Sequence, residues 1–177
     1  SMYNSAIVWS SDSSIYFDGV NDSVKLLGQA GSFDTLSHDI SVSMWVRLKV
    51  AETYSDSTFF QIYSRTNGRI LLWWDASGAK IRLMRWDDTG SNLQTTSADL
   101  TASSLTALNH THLAFRIDGG GMQLIINGQT KPGLVATIPQ WSTTSPRLYE
   151  LYFGVDKDFS GNQVNFLNGW IHDITIW

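Results

Sequence analysis

The chain has 177 residues, enough for one domain with a sizeable core and short for two. It contains no cysteine, which excludes disulfides, thiolate metal sites and cysteine nucleophiles. Twelve basic and 16 acidic residues give a net charge of -4, and the basic residues are scattered singly, a pattern that argues against nucleic-acid or anionic-membrane binding. Only 16% of the residues are charged while 12% are aromatic, which favours an extracellular β-protein, and no apolar run approaches the ~18 residues of a membrane span.

Alternation of apolar and polar residues predicts β-strands along most of the chain. The clearest example begins at Ile40, where every second residue up to Leu48 is apolar. Glycine-rich residues 118–121 predict a hairpin turn, and Asn127-Gly128 predicts a second tight turn. In chain order, the predicted strands are 14–17, 23–26, 40–49, 58–64, 69–75, 79–86, 112–117, 122–126, one strand after 128, 148–155 and 170–177.

These strands and their frequent turn signals are typical of an all-β, two-sheet antiparallel sandwich or jelly roll. Residues 97–108 have loosely spaced leucines, but their serine and threonine content favours a loop or a single turn over a helix. Residues 3–177 are expected to form one domain, and residues 1–2 are attributed to cloning. Because the chain stops at Trp177 inside a predicted strand, we expect it to be a module of a longer protein.

Four motifs follow one another along the chain. They are FDGVND at 17–22, ISVSMWV at 40–46, HLAFRIDGGGMQLIING at 112–128 and LNGWIHDITIW at 167–177. In this order they resemble the motifs of the laminin-G-like, concanavalin A-like jelly-roll family. Two positions depart from the family pattern: His110 stands where a tryptophan is usual, and His172 replaces the first of two closing acidic residues. The resemblance implies a jelly roll, in a family that includes lectins, carbohydrate-binding modules, adhesion domains and virion proteins.

The acidic residues do not form the pattern of a glycosidase of this fold. Such enzymes need two carboxyl groups about 5–9 Å apart, and the resembling enzymes place them on one strand in an E-x-D-x-x-E-like series. The chain has two glutamates, Glu52 and Glu150, and neither belongs to such a series. Asp87 and Asp88 are adjacent, so a strand would point them to opposite faces. The sequence therefore predicts a protein that is not an enzyme.

One segment predicts Ca²⁺ binding from its oxygen spacing. Asp156, Asp158 and Ser160 place side-chain oxygens at positions 1, 3 and 5 of a calcium loop, and Gly161 supplies the bend at position 6. Position 12 is Leu167, so the usual bidentate glutamate is missing. A polar turn between two strands explains the segment equally well.

A second calcium set, Asp18 and Asp22 with Asp173, follows from the resemblance, which implies a structural ion where the opening loop meets the last strand. Asx turns around Gly19 are the favoured alternative. At either segment the ion would be structural or would bridge a ligand, because oxygen-only ligand sets suit hard cations.

The tryptophans predict a platform for a sugar. Trp73 and Trp74 are adjacent on one strand, so one should face the core and the other should not. Parity on strand 79–86 points Arg82 and Trp86 away from the core. An exposed indole shields the C–H face of a sugar ring while polar neighbours bond its hydroxyls. The predicted ligand-binding residues are Trp73 or Trp74, Asp75, Arg82, Trp86, Asn127 and Trp141.

The alternative for each of these tryptophans is a place in the core. Trp9, Trp45, Trp170 and Trp177 are assigned to the core or to a sheet edge. His112 faces outward by parity, and we expect it to bond a neighbouring loop rather than a ligand.

The sequence thus predicts a non-catalytic, lectin-like carbohydrate-binding module of a larger secreted, cell-surface or virion protein. Its expected partner is a glycan or polysaccharide, with no nucleic acid and no membrane insertion. The alternative from another class is an adhesion or structural module of the same fold that binds protein. A glycan-active enzyme is the third possibility.

Overall fold

The computed structural model describes residues 14–26, 40–49, 55–64, 69–78, 80–86, 92–97, 110–118, 121–131, 149–158 and 160–177. Every regular element within these ranges is a β-strand. The same ranges contain no helix long and apolar enough to span a membrane. The strands are β1 (Ile15–Asp18), β2 (Val24–Leu26), β3 (Ile40–Leu48), β4 (Ser57–Ser64), β5 (Arg69–Asp75), β6 (Lys80–Trp86), β7 (Asn92–Ser97), β8 (Thr111–Asp118), β9 (Gly121–Ile126), β10 (Gln129–Thr130), β11 (Tyr149–Phe153), β12 (Asp156–Lys157), β13 (Gln163–Val164) and β14 (Asn168–Ile176).

The strands form two six-stranded sheets and a small two-stranded one. Sheet A has the order β1-β14-β3-β8-β9-β10, and sheet B has the order β2-β11-β4-β5-β6-β7. β12 and β13 form the third sheet. All paired strands run antiparallel. The predicted all-β, two-sheet antiparallel sandwich is confirmed.

Alternate side chains of both sheets meet in one core. On β3, the buried side chains occupy every second position, from Ile40 to Leu48, while those between them face out. Phe60 of sheet B lies 5.6 Å from Phe115 of sheet A and 5.2 Å from Phe153, ring centre to ring centre. Each sheet therefore uses one face for the core and leaves the other for solvent, covering segments or a ligand.

Two glycines show why the turns need this sequence. Asn127 and Gly128 have φ of 50° and 76°, the pair of left-handed conformations that a two-residue hairpin turn of type I′ requires. Gly154 has φ of 79°, and a Cβ built on it would lie 2.3 Å from the ring of Phe17. The tight turn predicted at 127–128 is confirmed. Gly154 allows the chain after β11 to pass close to the Phe17 ring of β1.

The β12–β13 hairpin covers part of the outer face of sheet B. Val155 and Phe166, at its two ends, pack on Tyr63 of β4 and Tyr152 of β11. Asp156 on β12 is buried and bonds Gln61 of β4. The hairpin thus occupies the β11–β4 side of this face.

Three strands were not predicted. β7 has a single apolar residue, Leu93, and becomes a strand because it pairs with β6 over residues 92–97. β12 and β13 are two residues each, too short for a periodic signal. Of the segment 97–108, Ser97 ends β7, and the remainder lies outside the described residues.

Candidate functional site

The structure brings four of the predicted ligand-binding residues to one surface. Trp73 and Asp75 on β5 point away from the core, as do Arg82 and Trp86 on β6. Trp73 lies directly opposite Arg82 in the strand register. We call these four residues, together with Arg69 opposite Trp86, the sheet B face.

The two adjacent indoles divide as the strand periodicity predicts. Trp74 is 0% exposed and belongs to the core, so it is not a platform residue. Trp73 is half-buried on the outer side. Its Nε1–H is buried without a hydrogen-bond partner, and so is Oγ1 of Thr58, the residue opposite it on β4. Part of the Trp73 ring is therefore accessible at the surface, while its polar edge is turned inward.

Asp75 fixes the position of Arg82 through an ion pair in which Asp75 is the more buried partner. Its Oδ2 accepts a hydrogen bond from Arg82 Nε, and its Oδ1 accepts bonds from Ser77 Oγ at 2.7 Å and Gly78 N at 3.1 Å. Burial by itself raises the pKa of Asp75, but these hydrogen bonds together lower it below its usual value. Asp75 is thus a buried, ionised support, and Arg82 is the residue of the pair that reaches the surface.

Trp86 is held by a second arginine. The guanidinium of Arg69 lies 4.6 Å from the centre of the Trp86 ring, within cation–π range. Arg69 also forms a buried ion pair with Asp156. Burial lowers the pKa of Arg69 and raises the pKa of Asp156, and in each case the charge of the partner opposes the effect. This ion pair joins the covering hairpin to the sheet that carries Trp86.

The segment predicted as a calcium loop uses its carboxylates within the protein. Asp156 binds Arg69 and Gln61 beneath the hairpin. Asp158 instead closes the turn, where its Oδ1 accepts the Asn162 N–H at 2.8 Å. Ser160 is exposed. The structure therefore directs Asp156 and Asp158 to different partners rather than to one point.

The second predicted calcium set is separated by the strand register. Asp18 Oδ1 accepts the Val20 N–H at 2.8 Å, and Asp22 Oδ2 accepts the Asp18 N–H at 3.0 Å, which is the Asx-turn arrangement. Asp18 pairs with Asn168 on β14. Asp173 lies five residues further along β14, roughly 16 Å away at the rise of a strand. Within the described ranges no three His, Asp or Glu side chains are grouped to hold an ion, and Ca²⁺ stays a prediction of the sequence.

Two further predicted residues lie elsewhere. Asn127 is in the β9–β10 turn of sheet A, where its Oδ1 accepts the backbone N–H of His112 at 2.9 Å. Asn127 supports a turn of sheet A, whereas Trp73 lies on sheet B. Trp141 lies outside the described residues, and so does Trp9.

The outer face of sheet A carries aromatic residues outside the predicted ligand-binding set. Trp45 is 36% exposed in the middle of the sheet, so its assignment to the core or an edge is wrong. It lies 6.2 Å from His172 with the rings stacked, and 5.2 Å from His112. The parity of β3 carries the signal, because Trp45 shares its side of the strand with two polar residues, Ser43 and Arg47.

The same row continues toward β1. Arg47 lies 3.9 Å from the centre of the Trp170 ring, and Trp170 lies 5.0 Å from Tyr16. Trp170 is half-buried on an inner strand, and Trp177 is 60% exposed after β14, so neither is a core residue. We call the outward residues Tyr16, Trp45, Arg47, His112, Trp170 and His172 the sheet A face.

A family model shows where this fold belongs. The model of the concanavalin A-like lectin/glucanases superfamily matches residues 17–177. The chain belongs to this superfamily. The resemblance that the four sequence motifs carried is thereby confirmed.

Solved structures support the same fold. The chain is similar to mouse laminin α1 chain domains LG4–5, with a TM-score of 0.69 and 13% identity over 94% of this chain and 42% of that one. It is similar to the CBM40 of Ruminococcus gnavus IT-sialidase bound to α2,3-sialyllactose, with a TM-score of 0.63 and 9% identity over 84% of this chain and 79% of that one. It is also similar to the binding domain of botulinum neurotoxin DC in complex with rat synaptotagmin II, with a TM-score of 0.64 and 14% identity over 96% of this chain and 41% of that one.

The comparisons differ from this chain in length and in sequence. The chain spans less than half of the laminin and toxin chains that it resembles. No curated protein matches its sequence. At such identities the likeness concerns the fold. The similar structures named here are laminin domains, a domain bound to a glycan and a toxin binding domain in complex with a protein.

Proposed function

We propose that this chain is a carbohydrate-binding module that holds its ligand on the sheet B face. The observation that carries the proposal is the pairing of a half-buried, outward indole, Trp73, with Arg82 directly opposite it. The apolar C–H face of a sugar ring packs on an indole, and a guanidinium donates hydrogen bonds to sugar oxygens. The site thus offers both kinds of contact side by side.

The support under Arg82 favours binding. Asp75 is 4% exposed and fixes Arg82 through Nε. A side chain that is already ordered loses less conformational entropy when it binds a ligand. Asp75 is therefore a positioning residue in this proposal, and Arg82 contacts the sugar.

The length of the face favours a ligand of several sugar units. Trp86 lies opposite Arg69, four residues along β5 from Trp73, a separation of about 13 Å along the strand. One ring on Trp73 and another near Trp86 would lie on the same side of the sheet. We propose an extracellular or surface setting, as part of a longer protein, for such a module.

The experiment is a glycan array followed by calorimetry with the best ligand. We expect Trp73→Ala and Arg82→Ala each to weaken binding about tenfold or more, as central contacts in a binding site do. The matched control is Trp45→Ala, which removes a partly exposed indole from the opposite face and should leave the affinity unchanged. An array without any binder, or equal losses with Trp73→Ala and Trp45→Ala, contradicts the proposal.

A second candidate function is protein binding through the sheet A face. Tyr16 is 40% exposed and Trp45 is 36% exposed, and aromatic residues are common anchors in protein interfaces. In that case Trp45→Ala weakens binding of a protein partner and Trp73→Ala does not. The same pair of variants therefore separates the two functions.

A further inference from the structure

We propose that His110 and His172 form a binding site for a divalent transition-metal ion, with Asp173 orienting His172. The site lies on sheet A, at one end of the row of residues around Trp45. It is independent of the proposed sugar site on sheet B.

The spacing of the two ring nitrogens fits a shared ion. Nδ1 of His110 and Nε2 of His172 are 2.9 Å apart. Two nitrogens that each bind one zinc ion at about 2.0–2.1 Å, at an angle between about 90° and 109°, lie roughly 2.8–3.4 Å from each other. The two nitrogens need to move apart by at most about half an ångström to bind the ion.

Asp173 prepares His172 for this role. Its Oδ2 lies 3.1 Å from Nδ1 of His172. When the carboxylate accepts a hydrogen bond from Nδ1–H of His172, Nε2 of His172 keeps a lone pair that faces His110. This carboxylate–histidine arrangement is the one that orients metal-binding histidines in proteins. Nδ1–H of His110 then donates a hydrogen bond to that lone pair. On binding an ion, His110 takes its other neutral tautomer, with the proton on Nε2, and both lone pairs face the ion.

The backbone is shaped to place that carboxylate. Asp173 has φ of 50°, in the left-handed region, at a register irregularity between His172 and Thr175. This conformation is uncommon for a non-glycine residue, although aspartate tolerates it better than most. The irregularity therefore fixes Asp173 beside His172 at a cost that regular pairing of β14 would avoid.

The two histidines meet only in the folded chain. They lie 62 residues apart in the sequence, and the fold brings their rings into contact over β3. A single histidine at either position would lack its partner nitrogen.

The ligand chemistry selects the class of ion. Imidazole nitrogens suit Zn²⁺, Cu²⁺ and Ni²⁺, whereas Ca²⁺ prefers oxygen ligands. The guanidinium of Arg47 packs on the Trp170 ring, 3.9 Å from its centre, while the carboxylate of Asp173 lies beside His172. In the described part of the chain no third histidine or carboxylate converges with the pair, so water would complete the coordination.

The experiment is calorimetric titration of untagged, chelator-treated protein with Zn²⁺, repeated with Ca²⁺. We expect one saturable Zn²⁺ site per chain that Ca²⁺ does not fill. His110→Ala and His172→Ala should remove it, and Asp173→Asn, which tolerates the same backbone conformation, should weaken it about 10- to 100-fold. Thermal melts establish that each variant is folded, and His172→Gln replaces His172→Ala if the latter is not.

The matched control is His112→Ala. His112 lies on β8, two residues after His110, and its ring packs on Trp45. This variant should keep Zn²⁺ binding. The proposal is overturned by the absence of saturable binding, by binding that survives His172→Ala and His172→Gln, or by loss with His112→Ala alone, which would assign the ion to a pair within one strand. Trp73→Ala should not affect Zn²⁺, so failure here is distinct from failure of the sugar proposal.

Discussion

Removing the charge of Asp156 tests how the covering hairpin is held to sheet B. The side chains of Arg69 and Asp156 are only 7% and 6% exposed, so their ion pair is shielded from water. Asp156→Asn keeps the shape of the side chain but removes the carboxylate charge that pairs with Arg69. Breaking a buried pair from one side costs about 3–5 kcal/mol of unfolding free energy.

The structure predicts where this loss comes from. Gln61 Nε2 also donates to the Lys157 carbonyl at 3.0 Å, so Gln61 keeps a partner when Asp156 changes. The loss of stability therefore comes from the buried charge of Arg69 and not from a lost hydrogen bond of the Gln61 amide. For a chain of this size, the expected fall in Tm is roughly 6–20 °C.

Chemical denaturation of four proteins measures the effect: the unchanged chain, Asp156→Asn, Arg69→Met, and the double variant Arg69→Met with Asp156→Leu. Replacing both partners by apolar residues should recover most of the stability, because no unpaired charge is then buried. Lys25→Met is the control, since the Lys25–Glu150 pair has a 37% exposed lysine and should contribute at most about 1 kcal/mol. The reasoning is refuted if Asp156→Asn costs no more than Lys25→Met, or if the double variant is less stable than either single one.

Three other outcomes follow from the structure. Burial raises the pKa of Glu150, but hydrogen bonds from Lys25, Tyr152 and Lys157 lower it overall from 4.5 to about 2. The contribution of Glu150 to stability is therefore present above pH 4.5 and is lost as the pH falls toward 2. Glu150→Gln should flatten the decline in Tm across this range, and an equal decline in both proteins would contradict the assignment. Gly154→Ala should destabilise the protein far more than Gly128→Ala, because both glycines have left-handed φ but only the first leaves no room for a Cβ; equal Tm values would show that the packing around residue 154 relaxes. If either predicted calcium segment binds its ion, EDTA should lower the Tm and added Ca²⁺ should restore it; an unchanged melting curve discards both segments.

Strand periodicity is a local property, so it predicts most of the sheet structure. Arg69–Asp75 was predicted with the observed bounds, and 40–49 differs from β3 by one residue. β7 was not predicted, because it forms a strand by pairing with β6, and the residues of β7 alone carry no strand pattern. Parity also predicted the opposite faces of Trp73 and Trp74, since adjacent side chains on a strand point in opposite directions.

Site residues were harder to predict, because parity names the side of a strand but not what lies over it. Asp156 had the spacing of a calcium ligand, yet the covering hairpin directs it to Arg69, a residue 87 positions earlier. Trp45 had the parity of an outward residue, but its exposure depends on whether another segment covers sheet A there. Nothing local to residue 110 or residue 172 indicates that their rings meet.

The amino-acid sequence by itself determined the strand-forming stretches, the tight turn at Asn127-Gly128 and the family. Alternation and turn chemistry depend on neighbouring residues, and the order of the motifs can be read along the chain without knowing which strands pair. Only the tertiary structure decided which indoles remain at the surface, which carboxylates are already bound to arginines, and that two distant histidines share a 2.9 Å contact. These properties arise when strands far apart in the chain become neighbours in a sheet, and the free energy that decides them belongs to pairs of residues rather than to any one segment.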